Sequence, residues 1–189
     1  MKQLSLKQRG LTLLELLVTL TITAILASLA IPAFANTIKR TNSLTIAYQM
    51  IELVQFARSE AITRQVPVTL CGSSDGQRCD NKWSKQILIF ADNNNNGAMD
   101  NTDVLLHVTD SLKTGETLTW RSFQNKSYLQ LQPNGMTYYQ NGNFTYCPAD
   151  GDEHFAVQWI LNAAGRLRLA QDNNRNGIPE NSSGQDISC

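Results

Sequence analysis

The chain has 189 residues, with 16 basic against 16 acidic side chains, 42% hydrophobic and 7% aromatic residues. That length suits one compact domain plus an additional helix. The balanced charge excludes a globally basic nucleic-acid-binding protein, so any contact with nucleic acid has to come from a local patch. His107 and His154 stand far apart without a nucleophile pattern, and no phosphate-binding loop or His-Glu-x-x-His motif occurs. Neither an enzyme nor a cofactor is therefore expected.

The first ten residues carry Lys2, Lys7 and Arg9 and end at Gly10. An apolar stretch follows, long enough at 11–36 to cross a bilayer once as a helix. The cations before it predict a cytoplasmic start and a periplasmic remainder, a bias that Lys39 and Arg40 dilute slightly. One charge, Glu15, interrupts the apolar run. An ionised acid costs a few kcal/mol there, so a membrane segment keeps one for a purpose, commonly a partner charge. Two plainer readings are a secretory signal peptide cut after Ala33-Phe34-Ala35 and an ordinary single-span anchor. The first leaves Glu15 without a role.

The helix is expected to continue to about Arg64, loosened at Pro32. Beyond Asn36 the residues Leu44, Ala47, Tyr48, Ile51, Val54, Ala57 and Ile62 recur at steps of three and four, an amphipathic face over 37–65 that a sheet must cover. Val66-Pro67 stops it. Strand candidates then follow within 66–189: 67–70, 85–90, 104–108, 117–123, 128–132, 137–139, 143–146, 155–160 and 166–170. Asn, Asp and Gly turns separate them, with Asn134-Gly135 and Asn141-Gly142 as hairpin signals. Helix first and strands second predicts an α+β fold: a long N-terminal helix, transmembrane in its first half, packed on an antiparallel β-sheet domain. Trp83, Trp120 and Trp159 are expected in its core. Of the three pairings open to Cys71, Cys79, Cys147 and Cys189, the favoured one joins Cys71 to Cys79 across a short loop and Cys147 to Cys189. A zinc site is the alternative.

Two stretches carry candidate chemistry. In 92–103, Asp92, Asn94, Asn96, Asp100 and Asp103 fall at places one, three, five, nine and twelve with glycine at six, the spacing of a calcium loop. Residues 172–180 repeat the first nine places. The competing reading is a turn rich in Asx side chains. In Ala164-Gly165-Arg166-Leu167-Arg168-Leu169, a strand puts Arg166 and Arg168 on one face about 7 Å apart, where two guanidiniums can grip phosphates. Arg175 extends the patch. The plainer reading is a solvated face whose arginines pair with Asp172, Glu180 and Asp186.

Gly10-Leu11-Thr12-Leu13-Leu14-Glu15, after a basic leader and before Pro32, resembles the N-terminus of type IV pilins and type II secretion pseudopilins. The family usually has Phe where this chain has Leu11. Cys71-Gly72-Ser73-Ser74-Asp75-Gly76, Trp83, Phe90-Ala91-Asp92 with Asn96-Gly97 and Asp100, and Gly165-Arg166 resemble the GspH/FimT family, most of all the FimT-type minor pilins. The resemblance implies a leader at 1–10, cleaved between Gly10 and Leu11 by a prepilin peptidase that methylates the new terminus. It implies that Glu15 pairs with a neighbouring pilin during assembly. It implies an inner-membrane subunit with its globular domain at 37–189 in the periplasm, extracellular once assembled with other pilins and the pilus machinery. The Gly-Arg-x-Arg motif resembles that of FimT-type proteins and implies non-specific binding of double-stranded DNA for uptake in natural transformation. The alternative is a GspH-like pseudopilin of the type II secretion system with protein partners.

Overall fold

The computed structural model describes Gly10 and residues 12–189. Helix α1 runs Leu13–Arg64. Eight strands follow: β1 (Val68–Ser73), β2 (Gln86–Ala91), β3 (Val104–Val108), β4 (Thr117–Ser122), β5 (Tyr128–Leu131), β6 (Gly142–Cys147), β7 (Val157–Leu161) and β8 (Leu167–Leu169). Internal contacts divide the described residues into a unit that ends at Arg40 and a unit of residues 41–189.

In the first unit the helix is long and apolar enough to cross a membrane. Its start is capped by Thr12, whose Oγ1 accepts the Glu15 N–H at 3.2 Å. The hydroxyls of Thr19, Thr21, Thr23, Ser28 and Thr37 donate to carbonyls three or four residues back. The helix thereby satisfies its own hydroxyls, as a lipid environment requires. Pro32 lies inside it and supplies no amide donor to the preceding turn.

In the second unit α1 buries Ser43, Ile46, Ala47, Met50, Val54, Ala57 and Ala61. This corrects the expected face, because Leu44, Tyr48 and Ile62 remain 46%, 66% and 45% exposed. Apolar residues occupy more than one side of this helix, so periodicity alone does not set its rotation. Close approach of the sheets selects the side carrying small alanines. Gln65 ends the helix in the left-handed region (φ 59°), its N–H donating to the Ala61 carbonyl.

The strands form two four-stranded antiparallel sheets, ordered β3-β2-β1-β5 and β4-β6-β7-β8. Both close over the helix in one core, which takes Val68, Leu70, Ile89 and Leu129 from the first sheet and Trp120, Phe144, Tyr146 and Trp159 from the second. Trp83, Trp120 and Phe144 pack ring on ring, and Trp159 Nε1 donates to the Ala47 carbonyl at 3.1 Å. Disulfides join Cys71 to Cys79 and Cys147 to Cys189.

Two strand-level expectations need correction. Residues 137–139 are not a strand: Thr137 makes one bridge to Leu131 and gives its N–H to Ala163. Asn134-Gly135 does reverse the chain there, with Gly135 at φ 75° and its N–H on the Gln132 carbonyl. Asn141-Gly142 makes no hairpin, because Gly142 begins β6 between Ser122 and Leu161. A Cβ on it would lie 2.2 Å from the Arg121 carbonyl oxygen, so close backbone approach explains this glycine.

Candidate nucleic-acid interface

Strand β8 is short, and its alternation is the one expected. Leu167 and Leu169 pack against the core while Arg166 and Arg168 are exposed. The strand is entered through a tight turn in which Gly165, at φ 71°, donates to the Asn162 carbonyl and the Arg166 N–H goes to Asn162 Oδ1. Ile160, Asn162, Arg166, Leu167 and Arg168 line a hollow of about 270 Å³.

Cross-strand register extends this surface. Arg168 lies opposite Ile160, Ile160 opposite Asn143, and Asn143 opposite Arg121, so the four residues form one row on the outer face of the second sheet. Three strand spacings separate Arg121 from Arg168, about 14 Å. Arg121 is exposed and was not singled out from the sequence. Its signal is a pairing register between β4 and β6, which no local motif carries. No Asp or Glu occurs between Glu116 and Asp150 or between Glu153 and Asp172, so these strands contribute cations only. Among the described residues the side chains of Arg121, Arg166 and Arg168 form no ion pair.

The acids that would neutralise them are engaged elsewhere. Asp172 accepts the N–H groups of Arg175, Asn176 and Gly177; Glu180 accepts those of Asn173 and Asn174; Asp186 accepts the amides of Asn174 and Asn176. Arg175 sits in this loop with φ 63°, exposed, outside the sheet row. The chain reaches it beyond Ala170, which binds the Gln158 carbonyl, and then returns to the sheet, where Ile187 and Ile178 pack with Cys147 and Ala156.

The 92–103 stretch folds the same way. Buried Asp92 accepts from Thr69 Oγ1, Gln130 Nε2 and the N–H groups of Asn96 and Gly97. Asn94 and Asn96 donate their amides to Asp100, and Asp103 accepts the N–H groups of Asn93 and Asp100. The oxygens at the calcium spacing thus serve as acceptors for the loop's own donors. No cluster of three or more His, Cys, Asp or Glu suited to a metal occurs among the described residues.

At the other end of the chain, Gly10 is exposed, Leu11 lies outside the described residues, and Glu15 stands exposed in the first turn of α1. His107 packs edge-on against Phe56, and His154 contacts Asp152. One pattern escaped the sequence reading: Gly72-Ser73-Ser74-Asp75-Gly76 has the spacing of a hydrolase nucleophile elbow. Its surroundings differ from that motif. No helix follows, and the Ser74 hydroxyl donates to Asp80 with no histidine bonded to it. The same turn holds Asp75 at a pKa of about 2, through the N–H groups of Gln77 and Arg78 and then the Ser73 hydroxyl.

Residues 47–165 match the family model described as type II transport protein GspH, and residues 5–31 match the prokaryotic N-terminal methylation motif. No curated protein matches the chain in sequence. Two crystal forms of the type IV minor pilin FimU of Pseudomonas aeruginosa (strain PAO1) share the fold. They match at TM-scores of 0.52 and 0.53 and identities of 20% and 21%, covering 77% and 82% of this chain and 98% of theirs. The minor pseudopilin EpsH from the type 2 secretion system of Vibrio cholerae matches at a TM-score of 0.48 and 15% identity, over 67% of this chain and 94% of its own. A methylation motif, a long apolar-to-amphipathic helix and a family match over more than half the length lead to one assignment: the chain belongs to the type II transport protein GspH family.

Proposed function

We propose that this subunit is a FimT-like minor type IV pilin that assembles into or primes a pilus and holds extracellular DNA for uptake in natural transformation. A prepilin peptidase removes residues 1–10 and methylates Leu11. The apolar segment 11–36 holds the subunit in the inner membrane, with residues 37–189 in the periplasm. Glu15 sets its register against a neighbouring pilin, since opposite charges in a low-dielectric setting attract strongly while either alone is costly. Exposed Arg166 and Arg168 grip successive phosphates of double-stranded DNA, and pilus retraction draws the DNA inward. Such binding is non-specific, because phosphate contacts carry no sequence information.

The observation that supports this reading is the set of exposed arginines Arg121, Arg166 and Arg168, without an ion pair among the described residues, on or beside strands that carry no carboxylate. The test is a gel shift of the full chain in non-ionic detergent with random-sequence duplex DNA. Arg166→Gln with Arg168→Gln is expected to weaken binding more than Arg175→Gln does, and unchanged affinity in the double variant refutes the DNA reading. The second reading is a pseudopilin of the type II secretion system with protein partners, favoured by the match to type II transport protein GspH. Absence of DNA binding in the unmodified chain selects it.

A further inference from the structure

Three aromatic side chains stand in solvent at the arginine-bearing end of the second sheet: Phe123, Tyr138 and Tyr139, exposed by 60%, 56% and 66%. The burial that usually rewards an aromatic ring is absent here. Register and turn contacts bring them to that end. Phe123 follows β4 directly and gives its N–H to the Asn141 carbonyl, beside the start of β6. Tyr138 follows Thr137, whose N–H and hydroxyl both reach the Ala163 carbonyl, at 3.0 and 3.2 Å. A Cβ on Gly165 would lie 2.4 Å from the Gly135 carbonyl oxygen, so the turn before the tyrosines and the turn before Arg166 touch backbone to backbone.

The tyrosines are also held in place. Their rings meet edge to face at 5.2 Å. Tyr139 occupies the left-handed region (φ 56°), which a bulky residue rarely adopts. Its neighbour Gln140 is buried and accepts the Gln130 N–H, while Thr137 is pinned to Ala163. Fixed, exposed rings beside arginines without an ion pair among the described residues, on strands that carry no carboxylate, are the two components of single-strand binding: a stacking platform for bases and cations for the backbone.

We propose that this end of the sheet binds single-stranded DNA, with unpaired bases stacked on Tyr138, Tyr139 and Phe123 while Arg166 and Arg168 hold the phosphates. The proposal rests on the nucleic-acid reading above and adds a class of substrate to it. In a duplex the bases are stacked on one another and offer no free face, so the aromatic contribution is confined to unpaired strands.

The experiment is fluorescence anisotropy of the full chain in non-ionic detergent with a labelled mixed-sequence strand, alone and annealed to its complement. Tyr138→Ala with Tyr139→Gly is the informative variant, because glycine takes up the left-handed position without strain and the fold is kept. The expected result is at least about fivefold weaker binding of the single strand, with duplex binding changed by less than about twofold. Arg166→Gln with Arg168→Gln weakens both. Unchanged single-strand affinity in the tyrosine variant, with duplex still bound, overturns this proposal alone. Failure of the unmodified chain to bind either form overturns the nucleic-acid reading and this proposal with it. Loss of co-assembly with other pilins at intact DNA affinity assigns the rings to a protein contact and also overturns it.

Discussion

Gly165→Ala probes the contact on which the arginine surface depends. Gly165 has φ 71°, and a left-handed conformation costs a residue with a Cβ about 1–2 kcal/mol. The added methyl would lie 2.4 Å from a backbone oxygen, that of Gly135, which cannot swing aside as a long side chain would. The two turns must part, and the bonds from Thr137 N–H and Oγ1 to Ala163 stretch or break, at about 1 kcal/mol each. The expected loss is about 3–4 kcal/mol in all. Gly151→Ala supplies the control, since Gly151 has φ 70° and nothing within 4 Å of its Cβ position. It should lose only the conformational part, about 1–2 kcal/mol. Urea unfolding of both variants in the full chain, at unchanged m-value, gives the difference. Equal losses in the two variants would refute the backbone contact between the 132–135 and 162–165 turns, and with it the placement of the tyrosines beside Arg166.

Other outcomes follow from the same geometry. Removing the Cys147–Cys189 bridge by paired serine substitution should cost more than removing Cys71–Cys79, because the closed loops span sequence separations of 42 and 8. Chain entropy gives about 4 against about 2.5 kcal/mol, read as the difference in urea midpoints, and the reverse order would contradict it. Asp75 titrates near pH 2, below its unfolded value of about 4. Its contribution is therefore present above pH 4 and is lost as pH falls through 2. Carboxyl chemical shifts measured across that window check this, and a midpoint near 4 would remove the turn's hydrogen bonds from the account. Glu15→Ala should deplete the subunit from sheared pilus fractions while leaving the urea midpoint unchanged; normal incorporation would contradict an assembly role.

The helix was legible because a continuous 3–4 apolar period and a Pro-marked end are local signals, and α1 ends at Arg64 beside Val66-Pro67. Most strands were legible from alternation between Asx and Gly turns. The rotation of α1 was not, since choosing Ala47, Ala57 and Ala61 over Leu44 and Tyr48 depends on how closely the sheets approach. Arg166 and Arg168 were visible because they lie two apart, at and just before strand β8. Arg121 was hidden because only the registers of β4 with β6, β6 with β7 and β7 with β8 bring it into their row. Thr137-Tyr138-Tyr139 has the composition of a strand, and β propensity there yields to a turn whose hydrogen bonds go to Ala163 instead.

The claim that the outer row of the second sheet is a phosphate-binding surface is tested most directly by the salt dependence of duplex DNA binding. The full chain should show log affinity falling linearly with log salt, and Arg166→Gln with Arg168→Gln should reduce that slope by about 2. An unchanged slope in the double variant would contradict the account.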